Sequence, residues 1–244
     1  MRDLFTHLAK SYLQIEGRLT EVDGSAYANV DAVALANNGL MHLFSQMTYS
    51  LSNQEVGAVY HPGQATTMFG ILKYPNDFTR SRGLNRLWSK DTTATAIIAD
   101  NTGFAVRHSY LIQKPTAKGT FSFIVPLKYI FGFCDDYDKI VYGLEHMLTL
   151  VRKTDADALF RAHDAAGREV NISKISWFMP HIVPVDIEKM NLYKTIESKA
   201  TLPVVFRARQ CYTITVPRST TFSWRLSVKT SPEKTEMHFG SISN

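Results

Sequence analysis

At 244 residues the chain is long enough for one large domain or two small ones, and a compact chain of this size buries roughly three quarters of its unfolded surface. A composition of 45% hydrophobic and 20% charged residues excludes a disordered chain. The formal charge of +5 comes from 27 basic residues scattered among 22 acidic ones. That implies weak attraction to polyanions and no specific nucleic-acid reader, which would cluster Lys and Arg on one face.

The opening Met-Arg-Asp-Leu-Phe-Thr-His-Leu has no apolar h-region and carries an early acid, so no secretory signal is expected. No run approaches ~18 consecutive apolar residues, and no membrane span is expected. Cys134 and Cys211 lie far apart without a CxxC motif or nearby histidine. Two reduced thiols inside a cell are the expectation, not a disulfide framework or a zinc site. The sequon Asn171-Ile172-Ser173 is then a chance match.

Period-two alternation runs through the chain. In Ser11–Thr20, Leu13, Ile15 and Leu19 oppose Tyr12, Gln14, Glu16 and Arg18, with a turn signal at Asp23-Gly24. Asn37–Gln46 sets Leu40, Leu43 and Phe44 on a helical stripe, with Asn37 or Asn38 as cap. Met47–Ser52 alternates again through Met47, Tyr49 and Leu51. Gly63–Tyr74 spaces Ala65, Met68, Phe69 and Leu72 as a helix stopped by Pro75. Gly119–Leu127 alternates through Phe121, Phe123, Val125 and Leu127, with Ile124 on the other face. Leu144–Lys153 and Val170–Met179 are apolar on both sides and predict strands buried on both faces. Ile187–Ser198 is a weaker helix. Val204–Val216 alternates through Phe206, Ala208, Tyr212, Ile214 and Val216 against Arg207, Arg209, Thr213 and Thr215. Phe222–Val228 alternates through Phe222, Trp224, Leu226 and Val228, and Ser231–Asn244 is a polar tail. Alternating runs bury one face and wet the other, the pattern of antiparallel sheets. Many short strands with helices in the connections predict a mainly β, antiparallel jelly-roll sandwich.

Catalytic and cofactor signatures do not emerge. There is no phosphate loop, dinucleotide fingerprint, nucleophile elbow or HExxH motif. Asp135, Asp136 and Asp138 after Cys134 could bind calcium or magnesium, but a solvated turn is the plainer reading. Asp155 and Asp157 beside Arg152 would do acid–base work only if a cleft raised one pKa. His42 reads as a partly buried, hydrogen-bonded side chain, and Trp88, Trp177 and Trp224 read as core before they read as stacking platforms. Arg207 and Arg209 read as a solvated sheet face before a phosphate or subunit contact.

The stretch Leu35–Asn53, Leu-Ala-Asn-Asn-Gly-Leu-Met-His-Leu-Phe-Ser-Gln-Met-Thr-Tyr-Ser-Leu-Ser-Asn, resembles a segment of double jelly-roll major capsid proteins, as carried by Polinton-like elements and adintoviruses. There a short helix of the Asn-x-x-x-x-x-Leu-Phe-Ser type feeds a strand ending in Asn. Tyr60-His61-Pro62-Gly63, Ile71-Leu72-Lys73-Tyr74-Pro75 and Leu87-Trp88-Ser89-Lys90-Asp91-Thr92 follow in the family's order. Tyr12–Leu19 before Asp23-Gly24, Phe121–Leu127 and Leu148–Arg152 resemble further strands. The resemblance implies a first jelly roll over residues 1–216 lacking an early strand. Residues 217–244 would be the start of a truncated second jelly roll with a polar tail. It implies a structural capsid-shell subunit, or an endogenised remnant of one, in a virion or host cell. That protein would be no enzyme, with no catalytic, cofactor or metal residues. Its partners would be copies of itself, forming trimers, and other capsid proteins. The alternative is a jelly-roll binding module for a carbohydrate or small ligand.

Overall fold

The computed structural model describes residues 5–162, 169–198, 204–214, 216, 218, 221–223 and 241–243. The strands are β1 (Phe5–Thr6), β2 (Tyr12–Thr20), β3 (Val33–Leu35), β4 (Phe44–Leu51), β5 (Gln54–Tyr60), β6 (Thr120–Pro126), β7 (Val141–Tyr142), β8 (His146–Arg152), β9 (Leu159–Arg161), β10 (Glu169–Phe178), β11 (His181–Ile182), β12 (Thr221–Ser223) and β13 (Ser241–Ser243). The helices are α1 (Gly39–His42), α2 (Pro62–Lys73), α3 (Thr102–Leu111), α4 (Gly132–Asp136) and α5 (Asp186–Glu197). Met1–Cys211 form one compact unit and Tyr212–Asn244 another. In the second unit, β12 and β13 pair antiparallel with Phe222 opposite Ile242. Trp224, Leu226 and Val228 lie outside the described residues.

Two three-stranded antiparallel sheets carry the first unit, in the orders β10-β2-β6 and β5-β4-β8. Their inner faces share one core. Leu13, Ile15 and Leu19 of β2 and Phe121, Phe123 and Val125 of β6 meet Met47 and Tyr49 of β4 and Val59 of β5. The outward set on β2, from Tyr12 to Arg18, stays half-buried or exposed, as alternation requires. Ser52 and Asn53 both take positive φ, 45° and 66°, and so close β4 and β5 as a tight two-residue hairpin. In a jelly roll lettered B to I the sheets run B-I-D-G and C-H-E-F. Here β10-β2-β6 matches I-D-G and β5-β4-β8 matches F-E-H. Among the described residues no strand lies in the B place beside β10 or the C place beside β8.

Several expectations need correction. The helix expected over Asn37–Gln46 is one turn, Gly39–His42, because Phe44 onward pairs with both β5 and β8. Leu144–Lys153 and Val170–Met179 are strands, but neither is buried on both faces. β8 and β10 are edge strands, and Met147 and Val151 of β8 are 48% and 43% exposed. The described residues of Val204–Val216 join no ladder. α2 and α5 match the expected helices to within a residue or two at each end. Trp88 belongs to the core, packed with Tyr74 and Phe78.

α3 was not anticipated. Asn101 caps it, accepting from the Phe104 amide at 3.0 Å while its amide donates to Asp91 Oδ1 and to the Thr93 and Thr95 carbonyls. Its buried face carries Phe104, Arg107, His108 and Leu111. Arg107 is fully buried. Its Nε donates to the Leu35 carbonyl at 2.8 Å, Nη1 to the Ser89 carbonyl, and Nη2 to Asp91 Oδ1 at 2.5 Å. Arg107→Met would leave the buried Leu35 and Ser89 carbonyls without this donor, while Asp91, 30% exposed, keeps the Asn101 amide. We expect it to cost about 2–3 kcal/mol in urea denaturation, the scale of leaving buried acceptors unsatisfied. A loss below about 1 kcal/mol would show that the network carries little of the fold.

Candidate interaction surface

Asp135, Asp136 and Asp138, which the sequence reads as a solvated turn before a cation site, are each turned toward a base. Asp135 accepts from Lys73 Nζ at 2.7 Å and Arg209 Nη2 at 2.8 Å. Asp136 takes a forked pair from Arg207, whose backbone amide also donates to it at 2.8 Å. Asp138 meets His7 Nε2 at 2.5 Å. The Arg207 hydrogen bonds hold the Asp136 carboxyl down at about 2. Among the described residues no cluster of His, Cys, Asp or Glu could hold a metal ion. The charged groups instead fasten an extended strap around residues 204–211. Arg209 lies over the Phe69 ring at 4.0 Å, and Phe206 meets the Phe133 ring edge-on at 5.1 Å. Gly132 is obligatory beneath it, because a Cβ there would overlap the Arg207 carbonyl. Arg207 and Arg209 thus bind acids of their own chain, where the sequence suggested a solvated sheet face.

Asp155 and Asp157 are also clamps. Arg152 pairs with Asp155, which accepts from the Val170 amide at 2.7 Å, while Arg152 donates to the Leu43 and Val170 carbonyls. Lys153 holds Asp157 at 2.6 Å and keeps its carboxyl low. Trp88 is buried and Trp177 half-buried, so neither offers an open stacking platform. Both thiols are free; burial pushes the Cys134 thiol up to about 12, which makes it a poor nucleophile.

His146 sits in a polar node that sequence reading missed. Its Nε2 is 2.8 Å from Thr6 Oγ1, and its Nδ1 is 2.7 Å from the Tyr49 hydroxyl. Thr6 spends its own proton on the Val141 carbonyl at 3.1 Å. Nε2 then donates to Thr6, and in the neutral imidazole Nδ1 accepts from the Tyr49 hydroxyl. Burial, with the nearby His181, holds its pKa below the ordinary histidine value. Burial lowers His42 and His108 as well.

One side of the sandwich leaves inner-face apolar residues partly uncovered. Ile15 and Leu13 are fully buried, yet their cross-strand partners on β10 are not: Ile175 is 40% exposed and Trp177 half-buried. On the facing edge Leu148 and Leu150 are likewise only partly covered, opposite buried Tyr49 and Met47. Between the two edges lies a slot of about 500 Å³ lined by Phe44, Leu150, Val170, Ile172 and Ile175, with Arg152 and Asp155 at its mouth.

A three-on-three antiparallel sandwich in I-D-G and F-E-H order is a jelly roll. A family model, the double jelly roll-like domain, matches residues 33–239, and the chain belongs to that family. The match agrees with the mainly β fold class and with the double jelly-roll resemblance at the level of the fold. No curated protein is similar enough to the chain to match it. No helix among the described residues is long and apolar enough to cross a membrane.

Two outcomes are expected. The three histidines are neutral when folded and gain protons on unfolding. Stability is then full above about pH 6.5, the unfolded histidine value, and falls as pH drops toward the lower folded values. Urea midpoints measured from pH 7.5 to 5 should show that decline, with a shallower slope in His146→Gln. An unchanged slope would mean the Thr6–His146–Tyr49 node does not respond to protons. A chelator should leave the thermal midpoint where it was, because Asp135, Asp136 and Asp138 are already neutralised by Lys73, Arg207, Arg209 and His7; a drop of several degrees would restore the cation site.

Proposed function

We propose that the chain is a non-catalytic structural protein of the viral shell type, a capsid subunit or an endogenised remnant of one. It works by associating with copies of itself and with other capsid proteins in a virion or host cell. Residues 1–216 are its first jelly roll, without the strands that would flank β8 and β10, and residues 217–244 begin a second. The observation that carries this reading is the open side of the sandwich. Inner-face apolar residues on two neighbouring unpaired edges are left uncovered, and exposed edges with apolar side chains drive association. Family membership supports it, since double jelly-roll domains are typical of viral capsid proteins.

A second reading, a small-ligand module, draws on a different observation: a largely apolar cleft on the far side of β5, lined by Val56, Phe133 and Phe206. Its carbohydrate form draws no support from Trp88 or Trp177, which are buried and half-buried.

Analytical ultracentrifugation tests the shell reading. The chain should sediment as a concentration-dependent oligomer, a trimer if the resemblance holds for assembly. Leu150→Lys with Ile175→Lys should shift it toward monomer by tenfold or more in dissociation constant, about 1.4 kcal/mol, with its circular dichroism unchanged. A wild-type chain that stays monomeric at high concentration defeats the proposal.

A further inference from the structure

The cleft beside β5 has a charge pattern of its own. It measures about 730 Å³, within the ~300–1,000 Å³ range of small-molecule sites. Its walls come from several separate places in the chain. Phe5 and Tyr142 come from the β1–β7 ladder, Val56 from β5, Phe133 from α4, and Leu192 and Phe206 from α5 and the strap. Phe133 is fixed by its stacking on Tyr137 at 5.1 Å and by the edge of Phe206, so that wall is preformed. The lining is mostly apolar. Its charged members among the described residues are Glu55 on β5 and Glu188 on α5, and no Lys, Arg or His lines the cleft. Neither carboxylate forms an ion pair among the described residues, although Asp135, Asp136, Asp138, Asp155 and Asp157 all do.

We infer that this cleft binds a small amphipathic cation, an apolar body carrying one protonated amine, with the body against Val56, Phe133 and Leu192 and the ammonium between Glu55 and Glu188. The inference deepens the small-ligand reading and is independent of the shell reading. Burial of the apolar body supplies the affinity, and the two carboxylates select the sign of the charge. An anionic amphiphile meets the same walls but two like charges. A neutral one gains the burial without the ion pairs. An exposed ammonium–carboxylate pair is a modest interaction, so the selectivity is a ratio to be measured and not an all-or-none effect.

The test is isothermal titration calorimetry of the full chain with decylammonium, decanol and decanoate, each below its micelle concentration. Decylammonium should bind about tenfold more tightly than decanol, with decanoate weakest, and the preference should shrink in high salt. In the double variant Glu55→Gln, Glu188→Gln the amine and the alcohol should bind alike, with decanol affinity unchanged. Leu192→Trp should abolish all three by filling the cleft, and Val56→Trp fills it from β5 should Leu192→Trp disturb α5. Equal binding of amine, alcohol and carboxylate by the wild type overturns the cationic class and leaves a small-ligand site standing. A preference that survives the double variant overturns the assignment to Glu55 and Glu188. No binding of any probe, or binding untouched by both tryptophan variants, overturns the site together with the small-ligand reading.

Discussion

A guanidinium buried without partners would unfold a domain of this size; Arg107 is tolerated because three acceptors are delivered to it from two parts of the chain. Leu35 O comes from the end of β3, Ser89 O and Asp91 from the segment that follows Trp88. Desolvation presses its pKa down and Asp91, itself partly exposed, opposes that pressure. Because the planar fork fixes directions as well as distances, Arg107 sets where the long connection between α2 and α3 can run. Asn101 repeats the device one turn earlier, tying the start of α3 to Asp91, Thr93 and Thr95. Trp88 is then delivered against Tyr74 and Phe78. Beside it, Arg86 donates to Tyr74 and Asn38, and Asn38 donates onward to Thr66 of α2. The helices in the connections are thus pinned to the sandwich corner by buried polar groups, not by an apolar stripe.

That explains what could be read in advance. β2, β4 and β6 were legible because a central strand, or one backed by a core, shows its burial as strict alternation: Leu13, Ile15 and Leu19, or Phe121, Phe123 and Val125. α2 was legible from helical spacing and the stop at Pro75, but its buried face was not: Met68 and Leu72 are 62% and 86% exposed, and Thr66 and Gly70 face inward. α3 escaped notice because two of the four residues on its buried face are Arg107 and His108, which any apolar count scores as surface. β8 and β10 were recognised as strands but misjudged in burial. Met147, Val151 and Phe178 look like core residues in sequence, but the register puts them opposite Ser50, Gln46 and Tyr12 on the outward faces, where they stay 48%, 43% and 42% exposed. The acidic loop could not be resolved either, because its partners Arg207 and Arg209 lie some seventy residues away. The strap itself was misread: Phe206 and Ala208 alternate like a strand, but Arg207 and Arg209 fasten the segment to α4 and α2 and no neighbouring strand claims it.

The two open edges are not equivalent. On β10 the register slips between Ile172 and Lys174, so Ser173 bulges out, and its hydroxyl turns back to the Glu16 carbonyl at 3.2 Å. A bulge and a lysine on an edge are the usual means by which a sheet resists an added strand. On β8 pairing with β4 is continuous from Gln46 to Leu51, and the outward residues Met147 and Val151 are apolar. Its charges are confined to the end, where Arg152 is already engaged by Asp155 and by the Leu43 and Val170 carbonyls. A strand approaching the open side therefore meets a guarded edge on one sheet and a smooth, apolar one on the other. An added strand would pair more readily with β8 and so extend the β5-β4-β8 sheet. β10 contributes Ile172 and Ile175 as a wall against which the incoming side chains pack, without having to supply a ladder of its own.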